Sequence, residues 1–108
     1  MSTLPTIRLG ELATARSGDK GNHANLGVVA KTPAAYEHLV RELTCERVQA
    51  FFAGLGLDGA ERFELPRVGA LNFILYNALA GGASRSLRID TQGKLLGTAA
   101  LEIELPPM

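Results

Sequence analysis

The hydrophobic positions change period several times along the chain, and each change marks an element. Ile7 and Leu9 alternate with Arg8 at the spacing of a strand, and Gly10 interrupts the alternation as a bulge would. This predicts an extended segment over 6–13. A polar stretch follows, and then the apolar run of Leu26, Val28, Val29 and Ala30 predicts a strand over 25–31 with side chains buried on both faces. Thr32-Pro33 reads as a helix start, with Thr as the cap and Pro in the first turn. Tyr36, Leu39, Val40 and Leu43 then recur at i, i+3, i+4, i+7. Thr44 can cap a second helical segment, carried by Val48, Phe51, Phe52 and Leu55 and stopped by Gly54 and Gly56.

Phe63 and Leu65 alternate with Arg62 and Glu64 ahead of Pro66, which predicts a half-buried strand over 61–65. In VGALNFILYNALAGG, Leu71, Ile74, Leu75, Ala78 and Leu79 fit a helical face, so a helix is expected over 68–80, ended by Gly81-Gly82, with a strand over the first half as the alternative of poorer alternation. A short extended piece is expected over 86–90 and a turn over 91–94. A last strand is expected where Leu101, Ile103 and Leu105 alternate with Ala100, Glu102 and Glu104. Mixed order of this kind predicts an α+β two-layer sandwich, ferredoxin-like, with a mixed sheet and helices on one face. The small residues Gly27, Gly97, Ala99 and Ala100 read as strand positions that let another surface come close.

Composition narrows the class. A length of 108 residues argues for one domain. Lys plus Arg equals Asp plus Glu at 11 each, so no global field steers the chain toward nucleic acid or an anionic membrane. Cys45 is the only cysteine, which rules out an internal disulfide and fits a reducing cytoplasm. No stretch approaches the roughly 20 apolar residues of a membrane span. An apolar content of 46%, with helices covering one sheet face, leads to an expectation of self-association into a homo-oligomer.

The candidate chemistry gathers in ARSGDKGNHAN. Gly18 and Gly21 flank Asp19 and Lys20, so the backbone N–H groups can turn into an anion-binding nest. Arg16 and Lys20 add positive charge for a phosphate or carboxylate, and Ser17 adds a hydroxyl. Asp19 can orient these groups or act as an acid/base, which makes Asp19 and Lys20 the candidate catalytic pair. Asn22 and Asn25 are expected to brace a compact loop from inside. The competing reading is a Gly-rich turn whose Asp and Asn side chains bond their own backbone. GxxxxGK[ST] is absent, so this is not a P-loop. GDKG matches the bare GXXG of RNA-clamping KH domains, but a strand follows it and the net charge is zero, so RNA is not expected. Arg85 and Arg88, after Gly81-Gly82, form a second possible anion contact. His23, His38 and Cys45 are too scattered for a metal site, and no cofactor is expected. His38 reads as a solvated residue on the outer side of its helix.

Taken together, ARSGDKGNHANLGVVAK, the Tyr36 helix with Leu43-Thr44, ELP, ALNF and GGASRSLRIDTQGK resemble the small domain of the acyclic terpene utilisation protein A family. The resemblance spans roughly 7–103. It implies a ferredoxin-like fold, a bacterial catabolic setting and a larger AtuA-type partner chain. In that family the small domain is the C-terminal part of a larger protein or a separate short chain, and this sequence reads as the separate form. The family's name comes from breakdown of acyclic terpenes such as citronellol through acyl-CoA intermediates. The resemblance therefore implies an accessory subunit contacting an acyl-CoA-like or carboxylate ligand at the junction with the larger chain. A self-contained hydratase or lyase using Asp19, and a purely structural module, are the other readings.

Overall fold

The computed structural model describes residues 5–20, 23–55, 57–77 and 94–108. The elements run β1 (Ile7–Arg8), α1 (Leu9–Leu12), β2 (Ala13–Lys20), β3 (His23–Ala30), α2 (Pro33–Glu42), α3 (Cys45–Phe51), β4 (Gly59–Leu65), β5 (Ala70–Tyr76), α4 (Lys94–Ala100) and β6 (Glu104–Leu105). The main sheet is antiparallel with strand order β2-β3-β5-β4, and β1 pairs with β6 in a separate two-stranded ladder. β3 and β4 are therefore parallel, joined through α2 and α3, and β5 lies between them. This split crossover, with helices packed on the sheet, is the α+β, ferredoxin-like arrangement that the element order predicts, but the sheet is antiparallel throughout rather than mixed, because β5 separates the parallel strands β3 and β4.

The helices form where the capping residues say they should. Thr32 Oγ1 accepts the Ala35 N–H at 3.0 Å, and Thr44 Oγ1 accepts the Arg47 N–H at 3.1 Å. Leu43 leaves helical geometry between them, so the two segments are separate helices rather than one bent one. Leu39, Leu43, Val48 and Phe52 are buried against the sheet, whereas Phe51 stays 42% exposed. From the other side Ala24, Leu26 and Val28 of β3 and Leu71, Phe73 and Leu75 of β5 complete the same core. Leu96 and Ala100 of α4, with Ile103 and Leu105, close it.

Several expectations fail for local physical reasons. The segment 6–13 is not one bulged strand. It is broken by the helical turn α1, in which Leu9 and Leu12, three apart, both bury and Glu11 accepts the Arg8 N–H at 3.2 Å. The segment 68–80 is not a helix over its described part. Ala70–Tyr76 is strand β5, with Leu71, Phe73 and Leu75 inward. Ala70 and Ile74 sit on its other face, so apolar residues on both faces imitate a helical stripe. The chain enters β5 through a 3-10 turn (Pro66–Val68) and Gly69 at φ 64°, a left-handed conformation that favours glycine. The expected strand over 100–105 shrinks to Glu104–Leu105. Gly97, Ala99 and Ala100 are helical instead, and Gly97 is small because α4 lies on β2: a Cβ there would meet Ser17 N at 3.0 Å. His38 is buried, not solvated. Its Nε2–H donates to the Pro106 carbonyl at 2.7 Å, tying α2 to the C-terminal segment. The extended piece expected over 86–90 and the turn expected through 91–93 lie outside the described residues. No helix among the described residues is long and apolar enough to cross a membrane.

Candidate functional site

Strand alternation sorts the candidate residues by face. In register, Ser17, Leu26, Phe73 and Arg62 form one row beneath the helices, and Arg16, Gly27, Asn72 and Phe63 form the next row on the opposite face. Among the described residues, that opposite face is the one the helices leave uncovered. Val29, Phe63 and Leu65 are 47%, 45% and 46% exposed there. Three large apolar side chains on neighbouring strands, all about half in water, are an unusual feature of a small sheet.

The face has two halves. One end, toward Val29, Ala70 and Leu65, is apolar. The other end is a polar network. Asn25 Nδ2 donates to Asn72 Oδ1 at 2.7 Å across β3 and β5. The Tyr76 hydroxyl donates to Glu61 across β5 and β4, and this bond pushes the Tyr76 phenol above its ordinary value, with desolvation adding to it. The His23 ring meets Tyr76 edge-on at 5.1 Å, and His23 Nδ1 accepts the Asn77 N–H at 2.9 Å. That bond holds the ring in place with Nε2 facing away from it. Asn77, at φ 60°, donates its side-chain amide to Asp58. These side chains hold one another, so the polar half is pre-organised.

The hairpin replaces the expected compact loop. Gly18, Asp19 and Lys20 are extended within β2, paired with Asn25, Ala24 and His23, so their N–H groups do not converge as a nest. Only residues 21 and 22 stand between the two strands. Polar residues are accepted here because half of them fall on a face that stays wet. Arg16 and Gly18 share the uncovered face with Asn25. Ser17 points the other way and accepts the Gly97 N–H at 2.7 Å. Asn25 bonds Asn72 rather than bracing a loop. For Asp19 and Lys20 only the backbone is described, and Gly21, Asn22, Arg85 and Arg88 lie outside the described residues. Arg16 also lines a groove of about 430 Å³ beside β2, with Ala15, Ser17 and Thr98. Among the described residues no group of three His, Cys, Asp or Glu is placed to hold a metal. Burial, with Glu46 close by, pushes the Cys45 thiol upward, the opposite of activation.

Asn72 and the Tyr76–Glu61 pair are absent from the candidates that the sequence supplies. The signal for Asn72 is its position: an amide set in the apolar run of 70–76 has to find a partner on one sheet face or leave its polar atoms unpaired.

A family model for the AtuA ferredoxin-like domain matches residues 7–106. The chain belongs to this family. The match covers β1 through β6, the uncovered face and the hairpin of β2 and β3. No curated protein and no solved structure matches the chain. Family membership relates the chain to AtuA-type proteins and agrees with the ferredoxin-like architecture.

Proposed function

We propose that this chain is an accessory module of an AtuA-type catabolic protein, docking through its uncovered sheet face onto a larger AtuA-type chain. The half-exposed cluster of Val29, Phe63 and Leu65 carries this reading. Four strands of seven or eight residues present about 500 Å² of sheet face, from spacings of roughly 4.8 Å and 3.3 Å. Covering it would bury about 1,000 Å² in total, the lower bound of a specific interface. Such a contact centres on the apolar half and has the polar half as its rim. There it lines a ligand site shared by the two chains, suited to an acyl-CoA or carboxylate ligand.

Co-expression with the larger AtuA-type chain and affinity capture test the docking. Capture of the wild-type chain is expected, with a loss of at least 10-fold for Phe63→Glu. Equal capture of the two would rule out this face. Light scattering of the isolated chain separates this reading from self-association, since a stable dimer lost in Phe63→Glu would assign the face to a second copy.

A further inference from the structure

The row Arg16–Gly27–Asn72–Phe63 runs straight across the uncovered face, from edge strand to edge strand. Its members differ sharply in chemistry. Arg16 is exposed and pairs with no carboxylate among the described residues, whereas Arg8, Arg47 and Arg62 each do. Gly27 leaves a gap. A Cβ built on it meets nothing closer than the Arg16 carbonyl oxygen at 3.8 Å and Asn72 Oδ1 at 3.9 Å, so the gap is real space rather than a packing requirement. Beyond it, Asn72 Oδ1 already accepts from Asn25, which fixes the amide and leaves both Nδ2 hydrogens without an acceptor among the described residues. The row then ends on the exposed ring of Phe63, with Val29 two residues along β3 from Gly27 on the same face.

We infer that this row is a binding site for a small monocarboxylate with a short apolar tail. The guanidinium takes the carboxylate as a planar donor fork, the Asn72 amide supplies a third donor, Gly27 gives it room, and the tail lies toward Phe63 and Val29. One cation and one neutral amide match a single negative charge, which favours a carboxylate over a phosphate. The inference rests on the reading of a ligand site on this face, but it requires only this chain's residues.

Butanoate is the probe, with butanamide as the neutral control and inorganic phosphate as the other anion. The full chain alone is titrated and followed by amide and side-chain NMR. Saturable shifts at Gly27 and at the Asn72 side chain are expected with butanoate, with Kd on the order of 1–10 mM for a site open on one side. Butanamide and phosphate should give no saturable shift. Arg16→Gln should weaken butanoate at least 10-fold. Gly27→Ala, whose Cβ fits without a clash, should fold normally and weaken it as well. Absence of saturation, equal shifts with butanamide, or retained affinity in both variants would overturn the site. Such a failure leaves the capture experiment with the larger chain unaffected, so the two readings fail separately.

Discussion

One sheet carries two faces that treat similar side chains in opposite ways. Phe73 and Phe63 lie on adjacent strands, yet Phe73 is fully buried under the helices and Phe63 is 45% exposed. Polar groups divide in the same manner. On the covered face Arg62 is 18% exposed at its side chain and serves the helix layer: its Nη1 donates to the Val40 and Leu43 carbonyls at 2.9 and 3.0 Å, and its Nη2 meets Glu64 at 3.0 Å. It satisfies carbonyls that the end of α2 would otherwise leave unpaired. On the uncovered face Asn25 bonds Asn72 and Tyr76 bonds Glu61, with no other side-chain hydrogen bond of these four among the described residues. The covered face uses its polar groups to hold the helix layer on the sheet, whereas the described polar groups of the uncovered face pair across the strands at the surface.

The comparison breaks most sharply at the two phenylalanines. Phe73→Ala should cost about 3–5 kcal/mol by urea unfolding, because it opens a cavity in the core. Phe63→Ala should change stability by less than about 1 kcal/mol. Similar losses at both sites would mean that the outer face is already covered in the isolated chain. Next in size, Arg62→Ala should cost about 1.5–3 kcal/mol, since it removes a charged donor from two helix-end carbonyls. A loss within about 0.5 kcal/mol would assign Arg62 to the solvated surface.

Two smaller effects sharpen the contrast. The Tyr36 hydroxyl is buried without a hydrogen-bond partner among the described residues, so Tyr36→Phe should be neutral or stabilise by up to about 1 kcal/mol. A clear destabilisation would reveal a partner for that hydroxyl. The same variant leaves Tyr76 as the sole tyrosine, since the chain has only two. Its phenol should then ionise above the ordinary value of 10.0, and Glu61→Ala should move it back toward that value. The Glu61 bond favours the protonated phenol in the folded state. Its contribution is therefore present below the unfolded phenol value and is lost as pH rises through the folded one. Absorbance at the phenolate band measures both titrations.

Elements whose caps and periodicity agree were legible in the sequence. Thr32-Pro33 and Thr44 announced α2 and α3, and the alternation around Phe63 announced β4. Segment 70–76 was misread because Ala70 and Ile74 are apolar on the outer face, and a two-sided strand has no clean period of two. α4 was misread because its small residues suit either a strand or a tightly packed helix. Only the contact of Gly97 with Ser17 decides between them, and it joins positions 80 residues apart. The site was half legible. Arg16 and Asn25 stood out by type, but Asn72 and Glu61 reach the same face only through strand register, which no local pattern encodes. His38 was misplaced for a similar reason, because its partner Pro106 is distant in sequence.

β5 is last of the four main strands in the chain, yet it sits inside the sheet, bonded to β3 on one side and β4 on the other. The parallel pair β3 and β4 has no hydrogen bonds of its own to hold it together. Until β5 arrives, the sheet consists of one hairpin and one unattached strand. Assembly is thus ordered in time: the β2–β3 and β4–β5 hairpins are local and fast, while pairing β5 with β3 closes a long loop and sets the rate. Conservative truncations at Leu71 and Leu75, and in the β2–β3 hairpin already paired at that step, should slow folding more than they speed unfolding. A chain stopped before β5 on the ribosome has no sheet to complete, and it keeps its strand edges open until that one segment emerges.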